Sequence, residues 1–332
     1  DYQCYHAGLY EAATTEHGLV EVKKVKRSVT ISYSDIFRKT RVKVFKAYVE
    51  RIDLSDGKVI TDSRILSFDY LVVALGSVAD FYGIPGLEQY GFTLKSLEDA
   101  VMNRNRVEDI ILTRDSAQFV IGGGGFAGSE FAGELYNLIK HECEHHGRDL
   151  ENYKILVVEG GSNFLSGLSE KGSQLIGARL LSMGIESRFS TLITLAERGM
   201  VPLNNKEQIP CDLLIWTGGV RSCRLPFAED IERDKKDRTS VSAALNLKNY
   251  PQVFVAGDDG CILDPETQKP VAQTAREAVA QGKLVAKNIF RSIKGKTLLT
   301  YYPQSVKFVI PSSGKYAIFY KPHLIIGGFG GW

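Results

Sequence analysis

Residues 119–130 read FVIGGGGFAGSE. FVIG has the apolar, β-branched character of a strand covered on both faces, and the residues after the glycines turn to helical periodicity through His146. A G-x-G-x-x-G pattern can be laid on Gly123, Gly125 and Gly128. In such a loop the first glycine permits a tight turn and the second lets a pyrophosphate approach backbone. The third lets the helix pack close to the strand. The phosphates then meet N–H groups and the positive dipole end of a helix. The other register, Gly122-x-Gly124, has Ala127 as its third small residue and is less permissive. The next strand, KILVVE (154–159), ends in Glu159. A carboxylate there accepts hydrogen bonds from an adenosine ribose and repels a 2′-phosphate. GGSNF after it brings no arginine, so NAD(H) is favoured over NADP(H). Glu130 is expected in the first helical turn, where offsetting the dipole would contribute ~0.3–1 kcal/mol.

The 332 residues suffice for two domains. A formal net charge of +2 with 24% charged residues gives no general pull toward nucleic acid, and KKVKR (23–27) reads as a solvated edge. No apolar run approaches the ~20 residues of a spanning helix, and no leader peptide is read. The five cysteines, Cys4, Cys143, Cys211, Cys223 and Cys261, include no CxxC pair. Their spacing argues for a reducing compartment, against a zinc ribbon and against a dithiol of neighbouring cysteines. No metal-ligating set is read from the sequence.

The element pattern is α/β. Strands are expected at 42–52, 70–75, 119–122, 154–159, 212–217 and 253–257, and helices at 96–112, 128–146, 169–184 and 274–293, with Ser96 and Ser169 as N-caps. An internal echo organises them. RIDLSDGKVITDSRILSFDYLVVALGS and TLAERGMVPLNNKEQIPCDLLIWTGGV both read strand, polar turn, strand, acid, buried strand, glycine, aligning Asp69 with Asp212 and Gly76 with Gly219. In the later copy the glycine loop precedes its acid. The same offset counted back from Asp69 falls upstream of residue 1, so the chain is expected to be truncated at its N-terminus, with the visible loop belonging to the second of two nucleotide units.

VFVAGDDG (253–260) is a buried strand ending in Gly-Asp, which suits Asp258 to the ribityl or phosphate part of a flavin. With AQTAREAVAQGKLVAKNI after it, the sequence resembles the FAD-dependent pyridine nucleotide-disulfide oxidoreductases, and among them the type II NADH dehydrogenases, single-chain NADH:quinone oxidoreductases of respiratory membranes. YHAGLYEAATTE, YLVVALGS, GIPGLEQYGFTLKSLEDA, VIGGGGFAGSE, LVVEGG, LLIWTGGV and VFVAGDDG follow in family order over about residues 1–293. The resemblance implies two Rossmann-like dinucleotide-binding domains. An FAD domain would comprise 1–100 and 240–298 with its first βαβ unit missing, an NADH domain 101–239, and a C-terminal membrane or interface region would start at 299–332.

By position it implies that Gly123, Gly125 and Gly128 hold the NADH pyrophosphate, that Glu159 holds its ribose, and that Gly218 and Gly219 lie on the nicotinamide side. Gly76 and Asp258 would bind FAD, Ala272 and Gln273 would sit beside the isoalloxazine at the quinone approach, and Glu130 would lie near the flavin ring. Glu130 or Glu277 would relay protons. Glu277 stands where the family often has a second glutamine, and Asp259 where it often has a cysteine. The implied partners are NADH and a quinone, with FAD and NAD(H) as cofactors and no nucleic acid. The resemblance also implies peripheral membrane contact on the cytoplasmic side, through a C-terminal region beyond this chain, and admits a homodimer. Two rivals remain at this stage. One is a sulfide:quinone oxidoreductase on the same fold, with Cys261 and Cys143 as candidates. The other is a non-catalytic NAD(H)-binding protein.

Overall fold

The computed structural model describes residues 31–166, 168–304, 307–321 and 324–328. YHAGLYEAATTE, KKVKR and Cys4 lie outside them. The described chain divides into two units, one built on 79–219 and 307–328, the other on 33–78 and 220–304. The divisions at 78/79 and 219/220 fall ahead of the boundaries expected from sequence. The reason lies in strand pairing. Gly91–Thr93 joins the sheet of the first unit through Leu213–Trp216, whereas the Ile52 amide bonds the Pro226 carbonyl within the second.

The first unit is a five-stranded parallel sheet. Its strands are β1 (Gly91–Thr93), β2 (Ala117–Gly122), β3 (Tyr153–Val158), β4 (Glu186–Arg188) and β5 (Leu213–Trp216), in spatial order β1-β5-β2-β3-β4. Helices α1 (Leu97–Thr113), α2 (Phe126–His146) and α3 (Glu170–Ser182) connect them. Side chains alternate between the two faces, and both faces are buried. Phe119, Ile121, Ile155, Val157, Leu213 and Ile215 form one core with Phe131, Leu135 and Ile139 of α2 and Ile176 and Leu180 of α3. Val120, Leu156, Val158, Leu214 and Trp216 form the other, with Leu87, Ile193 and the antiparallel hairpin Met200–Pro202/Gln208–Pro210. Each fully buried aliphatic or aromatic side chain contributes ~1.5–3 kcal/mol, which fixes the register of these short strands.

Helix starts follow the expected chemistry. Ser96 accepts from the Asp99 amide, and Asp99 reaches back to the Ser96 amide, a capping box; Ser169 caps α3 by accepting from Gly172. At the C-terminus, antiparallel strands Phe308–Pro311, Ala317–Lys321 and Leu324–Gly328 lie against α2 and α3, with Ile310 and Ile318 in the first core.

In the second unit, Val49–Asp53, Lys58–Thr61 and Ile65–Ser67 make an antiparallel meander, and Leu71–Val73 pairs in parallel with Val253–Val255. Helix α4 (Ala275–Ile293) packs through Val285 on Phe254 and Ala256. The internal echo is therefore visible as a hairpin followed by a parallel strand in both copies. One expected strand is shorter than its sequence suggested. Residues 42–48 pair with no strand and leave Val42, Val44 and Tyr48 exposed, so of the expected 42–52 only 49–52 is sheet, in a strand that ends at Asp53.

Candidate functional site

The first site lies at the carboxyl ends of β2, β3 and β5, where the strand order reverses and open α/β sheets take ligands. Gly123 has φ +106°, a conformation L side chains rarely adopt, and its amide donates to Val158 O at 2.8 Å. A Cβ on Gly128 would stand 1.8 Å from Gly123 O and 2.7 Å from Thr217 Oγ1, so α2 closes on the loop only because position 128 has no side chain. Gly125 differs. It is the N-cap of α2, supplies no side-chain cap, and a Cβ there would meet nothing within 4 Å. The structure thus holds open space before the first turn of a helix that has no acidic residue in that turn. Such a place suits an anion.

Glu159 follows β3 and faces this loop. Its carboxylate accepts the amides of Gly124 and of Gly161, the latter at 2.6 Å. Leu165 N donates to Gly124 O at 3.0 Å and closes the loop from outside. Thr217, which sequence reasoning passed over, ties β5 to the turn by donating to Gly122 O and Gly123 O, both at 3.0 Å. A threonine between a buried strand and two glycines is the signal that could have found it. Gly218 and Gly219 meet side chains of their own unit: a Cβ would stand 2.5 Å from the Trp216 ring at 218 and 2.1 Å from the Tyr82 hydroxyl at 219.

The helix starts at Phe126 rather than 128, so Glu130 lies beyond the first turn and is not a dipole-compensating residue. It is only 8% exposed, and burial, helped by the like charge of Glu134, pushes its carboxyl up to about 8. Glu134 is itself raised by burial and receives the Gly314 amide and the Asn137 side chain.

A second constellation forms in the other unit. Gly257–Asp259 make one 3₁₀ turn, begun by Gly257 at φ +72° with its amide on Gln281 Oε1 at 2.6 Å. The two aspartates divide the work. Asp259 is fully buried, accepts from Gly76 N at 2.9 Å and Ser222 Oγ at 2.8 Å, and is raised above the usual carboxylate range by burial. Asp258 stays half-exposed and accepts from Ser77 Oγ at 2.6 Å, while Gln273 donates to its carbonyl at 3.1 Å. Positions 76–77, 222, 258–259, 273 and 281, remote in sequence, so meet in one network.

Gly76 has φ +81° and open space where a Cβ would be. An open backbone beside a half-exposed carboxylate and an amide side chain fits a polyhydroxyl or phosphate-bearing ligand. Ala272 is exposed just ahead of α4. Glu277 is committed elsewhere: its carboxylate accepts the Tyr301 hydroxyl and, at 3.0 Å, the Gln304 amide. Burial and then Glu277 hold the Tyr301 phenol above its ordinary range.

The described cysteines, Cys143, Cys211, Cys223 and Cys261, are free thiols. Cys143 is 1% exposed in the first core, and burial pushes its thiol up to about 11, so it is held as an inaccessible, protonated thiol near neutral pH.

A family model for the pyridine nucleotide-disulphide oxidoreductases matches residues 4–282. The chain is 31% identical over 285 residues to a type II NADH:quinone oxidoreductase of Staphylococcus saprophyticus, covering 80% of this chain and 71% of that protein. It is 30% identical over 286 residues to the enzyme of the same name from Staphylococcus aureus, covering 81% and 71%. Among solved structures it is similar to NDH2 from Plasmodium falciparum in complex with NADH, with a TM-score of 0.77 at 16% identity over 86% of this chain and 77% of that one. It is also similar to a sulfide:quinone oxidoreductase from Aquifex aeolicus, with a TM-score of 0.77 at 18% identity over 92% and 75%. At these identities the two structures show a shared fold.

Proposed function

The chain belongs to the pyridine nucleotide-disulphide oxidoreductase family, and we propose that it is an FAD-dependent enzyme taking hydride from NADH and delivering two electrons to a quinone. The observation that carries the reading is the open glycine cradle at the head of α2 with Glu159 facing it, in a chain aligned along most of its length with type II NADH:quinone oxidoreductases. The sulfide-oxidising rival loses Cys143 to the core.

The residues present fit both cofactors. Gly123, Gly125 and Gly128 would hold the NADH pyrophosphate, Glu159 its adenosine ribose, and Gly218 and Gly219 the path toward the nicotinamide. Gly76 and Asp258 would hold FAD, with Ala272 and Gln273 at the quinone approach. Bound together, the nicotinamide and the flavin supply the hydride and electron chemistry. The protein's part is positional and protic. Its backbone amides and helix dipole seat an anionic pyrophosphate, and Glu159 admits a ribose and rejects a 2′-phosphate. Glu130, whose carboxyl stays protonated near neutral pH, is suited to hold and release a proton. We assign the unit of 33–78 and 220–304 to the flavin and 79–219 to NADH. No helix of the described residues is long and apolar enough to cross a membrane. Peripheral attachment at the cytoplasmic face and a homodimer belong to the same proposal.

The test is anaerobic titration of the full chain, loaded with FAD, with NADH and then a short-chain quinone. Bleaching of the flavin band by NADH and its return with quinone is expected. Retained flavin that NADH leaves oxidised would overturn the NADH reading. Flavin reduced by NADH but not reoxidised by quinone would overturn the acceptor.

A further inference from the structure

Helices α1 and α2 bury an ionic cluster that the cofactor chemistry does not use. Arg104 is 1% exposed, donates to Glu108, and stands 3.7 Å from Glu142, while His146 Nε2 lies 3.5 Å from the other Glu142 oxygen. Glu108 and Glu142 are buried; His146, the last residue of α2, sits at the rim. Among the described residues, the buried side-chain atoms left without a hydrogen-bond partner are Asn103 Oδ1, Arg104 Nε and His146 Nε2. All three belong to these two helices. Interiors rarely leave polar atoms unpaired, and of these three His146 Nε2 is the one within the cluster whose lone pair a metal ion could take.

Ligand atoms of Glu108, Glu142 and His146 lie within 4.8 Å of one another. We propose that these three side chains form a site for a divalent transition metal of the zinc class, joining α1 to α2. One imidazole nitrogen and two carboxylate oxygens are a three-ligand set that a water completes to a tetrahedron. The imidazole selects zinc-like ions over magnesium or calcium. The C-terminal end of α2 favours a cation through its dipole. Arg104 holds Glu108 in place as an outer partner, while its own charge opposes the ion and keeps affinity moderate. A rival pair stands on the same helix: His141 and His145, one turn apart, have rings stacked at 6.4 Å and could chelate at the surface.

The experiment uses the full chain stripped with EDTA and titrated with ZnCl₂ against a chromogenic zinc indicator, with thermal melting in parallel. One equivalent is expected to bind and raise the melting temperature. Losing an outer partner alone costs ~10–100-fold in affinity, so E142Q and H146N should each weaken binding at least that much. The double variant H141A/H145A should bind as the parent does. Zinc X-ray absorption on the unmutated protein reads the ligand set even if a variant fails to fold. One imidazole in an oxygen-rich shell supports the buried triad, whereas two imidazoles would overturn it. Absence of binding up to millimolar Zn²⁺, or loss of binding only in H141A/H145A, would also overturn it.

Discussion

Gly125 and Gly128 belong to one motif but should fail in different ways when given a methyl group. At Gly128 the new Cβ would lie 1.8 Å from a backbone oxygen, against an ordinary contact of roughly 3.4 Å, so α2 or the turn must move by about 1.5 Å. Overpacking of that kind costs ~1–3 kcal/mol, occasionally more, and in a protein of this size each kcal/mol lowers Tm by ~2–4 °C. At Gly125 the methyl meets nothing within 4 Å and φ is −69°, a value alanine adopts freely. Its stability cost is only the loss of a better N-cap, below about 1 kcal/mol. The same methyl, however, fills the space proposed for a pyrophosphate. Displacing it from the amides should raise the NADH Kd by about tenfold or more, equivalent to ~1.4 kcal/mol. The assay pairs thermal melting without nucleotide with NADH titration by fluorescence. Gly125→Ala should melt like the parent and bind NADH poorly, and Gly128→Ala should melt early. A Gly125→Ala variant with unchanged NADH affinity would refute the pyrophosphate cradle, and a Gly128→Ala variant with unchanged Tm would refute the close packing.

Glu159→Gln keeps the shape beneath Gly124 and Gly161 but removes the charge that repels a 2′-phosphate, so the NADH/NADPH ratio of kcat/KM should fall by about tenfold (~1.4 kcal/mol), with steady-state kinetics as the check. Glu130 is raised by burial from the ordinary carboxylate value of 4.5 to about 8, so between those pH values the folded state holds a proton that the unfolded chain releases. The Glu130 contribution is therefore full below pH 4.5 and lost as pH rises through 8; urea melts of Glu130→Gln against the parent should show that slope removed. Glu277→Ala leaves the Tyr301 hydroxyl and the Gln304 amide without their acceptor and should cost ~1–3 kcal/mol for each group that stays buried. A Glu277→Ala protein that melts like the parent yet loses quinone turnover would show that the carboxylate serves the acceptor, not the 301–304 segment.

The parts of the sites that were legible in the sequence are those whose chemistry is local. A strand, a turn that tolerates no side chain and a helix must be contiguous, so the loop at 123–128 and the acid closing the next strand could be read directly. What depends on partners from elsewhere was not legible. Residues 42–48 have the composition of a strand, but a strand exists only where another pairs with it. In Gly-Asp-Asp the choice of which aspartate faces inward is made by Gly76 and Ser222, remote in sequence. A helix start two residues earlier moved Glu130 from a dipole position to a buried one. The Glu108–Glu142–His146 cluster was invisible because its members are unremarkable on either helix and become a set only when α1 and α2 pack.

Helix α2 is gripped near its middle by the C-terminal segment around Ser312 and Ser313. Gly133 leaves just enough room for Ser313, whose Cβ would be 3.0 Å from any added methyl, and Ser313 donates to Asn137 one turn on. Arg179 of α3 donates to Ser312 O at 3.2 Å. The C-terminal strands and the proposed seat of the nucleotide are thus fixed to neighbouring stretches of the same rod. Mechanical load on those strands, from a surface or a neighbouring molecule, has a stiff path to the proposed phosphate seat.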